Sequence, residues 1–117
     1  MASGEGVLRY ILDQLSDVEG ITYRPMMGEY LLYVRGRLLG GVYDNRLLVK
    51  PVPAALACVE KAGKAVQYEN PYEGAKELLL IEDVDDHVFL CGLAEAMYEE
   101  LPVPKGTASR KMKKGKS

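Results

Sequence analysis

Apolar residues recur along this chain with two different periods, and the switches between them divide it into elements. Leu8, Ile11, Leu12 and Leu15 fall at i, i+3, i+4 and i+7, which gathers them on one face of a first helix. Ser3 is placed to cap that helix, Glu5 suits its positive end, and Gly20 closes the segment. Ile21-Thr22-Tyr23-Arg24 alternates as a half-buried strand that Pro25 is expected to stop.

Tyr30 to Val34 and Leu38 to Tyr43 flank Arg35-Gly36-Arg37, where Gly36 can take the positive φ of a tight hairpin. Asp44-Asn45 separates Tyr43 from a further strand, Arg46 to Lys50, and both residue types tolerate the left-handed conformation of a turn. Three antiparallel strands in a meander are expected. Pro53 then opens a second helix, with Leu56, Val59 and small alanines inward and Gly63 at its end. Ala65 to Tyr68 and Leu78 to Ile81 read as two more strands around the turn-rich Asn70-Pro71-Tyr72-Glu73-Gly74. A third helix follows the acidic run Glu82 to Asp86, with Leu90, Leu93, Ala94, Met97 and Leu101 at helical spacing and Pro102 and Pro104 at its end. The predicted order is α-β-β-β-β-α-β-β-α, an α+β domain of two layers with a mostly antiparallel sheet.

Several of these strands are apolar at consecutive positions instead of alternating, as in Leu31-Leu32-Tyr33-Val34, Leu47-Leu48-Val49 and Leu78 to Ile81. Three helices suffice to cover one face. The other face is then expected to present Leu and Tyr side chains to a second copy or to another protein. Helices and long loops covering both faces are the alternative.

Charge divides the chain. The net charge is −2, but Lys105, Arg110, Lys111, Lys113, Lys114 and Lys116 all lie in residues 105–117, which contain no acid. Residues 1–104 therefore carry −8, from nine basic and seventeen acidic side chains. A body that acidic repels phosphate backbones, so nucleic acid is expected to bind only weakly and through the tail. The tail reads more readily as a solvated, disordered terminus. The 117 residues suit one domain, 1–104, followed by that tail. No secretory signal is read at the N-terminus and no apolar run approaches the roughly 20 residues of a membrane span, so a cytoplasmic setting with free thiols at Cys58 and Cys91 is expected.

Candidate chemistry is sparse. Cys58 and Cys91 sit among apolar neighbours and read as small core residues. His87 is the single histidine, and an enzyme using Cys58 and His87 is the least favoured reading. One His and two distant Cys do not make a tetrahedral zinc site, the acidic run lacks the loop of a calcium site, and no phosphate-cradling glycine motif occurs. No cofactor is expected. Gly40-Gly41 within a strand marks a bulge or a close backbone approach, which either admits a ligand or partner or, equally, lets a helix pack tightly on the sheet. Residues 24–50 hold a local excess of +3, and Arg24, Arg35, Arg37 and Arg46 are candidates for docking an acidic surface or for guarding a sheet edge.

Met26-Met27-Gly28-Glu29-Tyr30-Leu31-Leu32-Tyr33, followed by Arg35-Gly36-Arg37 and Asp44-Asn45-Arg46-Leu47-Leu48-Val49-Lys50, resembles the TfoX N-terminal domain family. The family pattern falls on Arg24, Met26, Met27, Gly28, Tyr33, Gly36, Asp44, Arg46, Leu47 and Lys50, and residues 71–77 look like a segment of its stand-alone members. The resemblance spans roughly residues 5–103. It implies a two-layer fold similar to secretion chaperones, often dimeric. It also implies a link to competence: full-length relatives promote transcription of DNA-uptake genes together with the cyclic-AMP receptor protein. This chain differs in carrying the basic tail where full regulators carry a helical C-terminal domain, and Glu29 where many relatives carry glycine. Taken together, the expectation is a non-enzymatic regulatory domain, a homodimer or the binder of a protein partner in transcription regulation, with no membrane association. Arg24, Tyr33, Arg35, Arg37 and Arg46 are its expected contacts, and Gly28, Gly36 and Gly40 shape the surface.

Overall fold

The computed structural model describes residues 4–103. Its elements run α1 (Glu5–Gln14), β1 (Ile21–Met26), β2 (Glu29–Val34), β3 (Arg37–Tyr43), β4 (Arg46–Val49), α2 (Pro53–Lys61), β5 (Tyr68–Glu69), β6 (Leu78–Ile81) and α3 (His87–Tyr98). All six strands pair antiparallel in one sheet of order β1-β2-β3-β4-β6-β5. The chain thus has the α+β architecture and element order that its hydrophobic periods predict.

The first four strands form a ladder of hairpins, and each connection is two residues long. Met27-Gly28, Arg35-Gly36 and Asp44-Asn45 all have positive φ, between 47° and 86°. Positive φ at both central residues defines the type I′ turn, whose twist matches that of the paired strands. Gly28 and Gly36 adopt it without strain. Pro25 does not stop β1, contrary to the sequence expectation. The strand continues to Met26, with Pro25 opposite Tyr30. β1 is an edge strand, and there proline's missing N–H costs no ladder bond when it faces outward.

Other boundaries also shift. The N-cap of α1 is Gly4, whose N–H donates to Asn45 Oδ1 at 2.8 Å; Ser3, the expected cap, lies outside the described residues. Residues 65–67 are not strand, and β5 keeps only Tyr68 and Glu69. Val66 packs against the core instead, while Gln67 accepts a backbone bond from Leu80 and its side chain donates to Glu82. At α3 the acidic run supplies the cap: the Asp86 carboxylate accepts from the Phe89 N–H at 3.1 Å.

One core lies between the sheet and the helices. Leu32 and Val34, Val42, Leu47 and Val49, and Leu79 and Ile81 supply it from the strands, at every second position. Leu8, Ile11 and Leu15, Ala55 and Val59, and Leu90, Leu93, Ala94 and Met97 meet them from the helical side. α3 contacts α1, α2 and β3. The register slips between Leu32 and Tyr33, so that Leu39 is the extra residue of a bulge. Leu39 joins the core, and Gly40 next to it lies so close to β4 that a Cβ would stand 2.1 Å from the Leu48 carbonyl oxygen. The close approach expected at Gly40 is therefore strand backbone. Among the described residues no helix is long and apolar enough to cross a membrane.

Candidate functional site

Pleating sends the alternate residues of the same strands to the face away from the helices. Register places Leu31 and Tyr33 of β2, Leu38, Gly41 and Tyr43 of β3, Leu48 of β4, and Leu78 and Leu80 of β6 on it. None of them belongs to the helix-side core. At the centre, Leu48 is fully buried between its pairing partners Gly41 and Leu80, and Tyr43 is 5% exposed. Leu31, Tyr33, Leu38, Leu78 and Leu80 around them are half-buried.

Two further parts of the chain bound this face. The Arg46 guanidinium reaches from β4 past β6 to the Glu69 carboxylate on β5, and its Nε is buried without a hydrogen-bond partner. Tyr72, from the β5–β6 connection, brings its ring to 6.4 Å from that of Tyr43. Beside it, Met26, Met27, Glu29, Pro71 and Tyr72 line an open groove of about 410 Å³. Met27 is 95% exposed and Tyr72 58%. Residues 26–29 and 71–72 lie far apart in sequence, and both belong to the stretches that carry the family pattern. Burial pushes the Tyr43 hydroxyl pKa above its ordinary value, with Tyr72, Glu29 and Tyr33 adding to the effect.

The expected contact residues divide between this face and another place. Arg24 stands exposed on edge strand β1, and Tyr33 is half-buried on the open face. Arg35 and Arg37 instead hold the β2–β3 hairpin to the end of α3. Their guanidinium carbons lie 4.2 and 4.3 Å from the centroid of the Tyr98 ring. Arg35 also donates to the Glu19 carbonyl and the Glu95 carboxylate, and Arg37 to the Tyr98 carbonyl. These bonds give both side chains an internal role that charge counting does not reveal. Lys105, Arg110, Lys111, Lys113, Lys114 and Lys116 lie outside the described residues.

A second cluster joins α1 to α3. Cys58 packs on α2 against the core, and the thiol beside His87 is Cys91, one helical turn along α3. Asp17, just after α1, holds His87 Nε2 at 2.7 Å. Cys91 Sγ stands 3.9 and 4.0 Å from the two ring nitrogens and donates to the Gln14 carbonyl at 3.3 Å. The Asp17 hydrogen bond raises the His87 pKa, aided by a backbone bond at Gln14 and by the charges of Asp17 and Asp13. Burial pushes the Cys91 thiol up, and the charges of Asp17 and Glu95 act in the same direction. A nucleophilic cysteine needs the opposite, a depressed pKa and a base aligned on its proton. Sequence reading missed this grouping, although His87 and Cys91 at i, i+4 on a helix were its visible half.

The family model of the TfoX N-terminal domain matches residues 13–89. A protein of Spirochaeta aurantia, described as an uncharacterized 12.7 kDa protein in the trpE 5′ region, is 30% identical over 106 residues, covering 90% of this chain and 89% of that protein. No solved structure matches.

Proposed function

The chain belongs to the TfoX N-terminal domain family, and we propose that it acts as a non-enzymatic regulatory domain that docks protein through the open face of its sheet, a second copy of itself first. The observation that carries this reading is the rim of half-buried Leu31, Tyr33, Leu38, Leu78 and Leu80 around a fully buried Leu48. Apolar surface of that kind, bounded by polar groups such as Arg24 and the Arg46–Glu69 pair, is characteristic of an interface. The groove of Met27 and Tyr72 extends it with adaptable thioether and aromatic surface. Against catalysis stands the raised pKa of the half-buried Cys91 thiol beside an imidazole already committed to Asp17.

The process regulated, on the family resemblance, is transcription of DNA-uptake genes in the cytoplasm. Arg24 and Tyr33 remain the contacts this reading favours, while Arg46 bounds the same face through Glu69 and Arg35 and Arg37 are engaged at the end of α3.

Sedimentation equilibrium of the full chain tests the proposal. A dimer is expected at tens of micromolar, and Leu31→Asp or Tyr33→Asp is expected to weaken its association by about tenfold or more, the cost of burying an unpaired charge. A wild-type monomer throughout that range, or a dimer indifferent to both substitutions, rules out self-association through this face.

A further inference from the structure

Asp17 lies in the segment after α1 and His87 and Cys91 lie on α3, with Asp17 seventy positions from His87. Their three donor atoms all lie within 4.8 Å of one another. His87 and Cys91 are one turn apart on α3, so the helix presents an imidazole nitrogen and a thiol on the same side. Asp17 completes the set from a side chain 75% exposed and therefore free to adjust.

The spacing suits a tetrahedral cation. An ion about 2.0 Å from nitrogen and oxygen and about 2.3 Å from sulfur holds its ligands roughly 3.2 to 3.7 Å apart. The N–O and N–S separations here, 2.7 and 3.9 Å, lie on either side of that range and all three donors lie within 4.8 Å, so closing on an ion needs the exposed Asp17 side chain to shift and Cys91 to release the Gln14 carbonyl. Chemistry narrows the ion. A mixed nitrogen, sulfur and oxygen set fits a borderline-soft metal and is foreign to calcium or magnesium, which take oxygen ligands. The local field favours a cation, since the charge of Asp13 also acts on His87 and that of Glu95, itself paired with Arg35, acts on Cys91.

We propose that Asp17, His87 and Cys91 bind a divalent transition-metal ion of the zinc type through Oδ2, an imidazole nitrogen and the thiolate. The fourth position is left to water or to an external ligand. Binding exchanges the thiol proton and any imidazole proton for the metal, and both are released to solvent. The ion would tie the segment after α1 to the first turns of α3.

The test titrates the metal-free, reduced full chain with Co2+ and then Zn2+. One equivalent of Co2+ at micromolar concentration is expected to give a thiolate-to-cobalt absorption band that Zn2+ abolishes. Cys91→Ser removes the band, and His87→Gln and Asp17→Asn weaken Co2+ affinity by more than about tenfold. Cys58→Ser leaves the band intact and so locates the sulfur. Absence of a thiolate band in the wild type, or a band that survives Cys91→Ser, overturns the site. The wild-type band reports sulfur ligation directly, so the result does not depend on any variant folding.

Discussion

On the helix side of the sheet, Leu32, Val34, Val42, Leu47, Val49, Leu79 and Ile81 are at most 4% exposed, and all belong to one core with α1, α2 and α3. On the other side the same strands carry Leu31, Tyr33, Leu38, Leu78 and Leu80, equally apolar yet only half-buried. Composition does not separate the two faces. Connection does: the three hairpins of β1 to β4 use two-residue turns that cross neither face, and the three helices share one hydrophobic core on a single side. The open face is left with short-range cover from Tyr72 and from the Arg46 side chain.

Truncations on the two faces should give the largest contrast. Leu79→Ala removes a fully buried side chain from the helix side and should cost about 3 kcal/mol in urea unfolding. Leu31→Ala on the open face should cost the isolated subunit under about 1 kcal/mol. Equal losses would mean that the open face is packed as tightly as the core.

Gly40 stands at the bulge that turns Leu39 towards the helices. Gly40→Ala sets a methyl group against the Leu48 carbonyl oxygen, which belongs to backbone and cannot rotate away. A loss of about 2 kcal/mol is expected. If the variant were as stable as the wild type, the β3–β4 pairing described above would be wrong at that point.

The smallest effect concerns Tyr43, the buried hydroxyl-bearing residue of the open face. Its pKa is raised in the folded chain, chiefly by burial, so the folded state holds its proton longer than the unfolded state, where tyrosine titrates near 10. Stability from this group is therefore fully present below about pH 10 and is lost as pH rises through the folded value. Ultraviolet titration should show one tyrosine ionising late, and Tyr43→Phe should remove that late step and flatten the alkaline loss of stability. A Tyr43 that ionises with the exposed tyrosines would show that water reaches the centre of this face.

Much of this architecture is legible in the residues, and the misses have physical causes. Asp44-Asn45 and Gly36 announce their turns because few residue types tolerate positive φ, yet Met27 and Arg35 share that conformation and carry no such signal. Pro25 reads as a strand stop because nothing local shows that β1 will lie at the edge of the sheet. Arg35 and Arg37 read as free charges, since the Tyr98 ring that lies against both is more than sixty residues away. Cys91 does pack against the core, as its apolar neighbours suggest, but its grouping with His87 and Asp17 is hidden because Asp17 is equally remote.

By itself the amino-acid order determined what depends on neighbours within a turn or a strand: element types and their order, most turns, the Asp86 cap, the amphipathic faces, and the pattern that marks the family. Tertiary structure alone decided which face of an apolar sheet the helices would close, which charged side chains would be spent internally, and which donor atoms would converge between α1 and α3. Those outcomes depend on contacts between residues dozens of positions apart, and such contacts exist only once the chain has closed on itself.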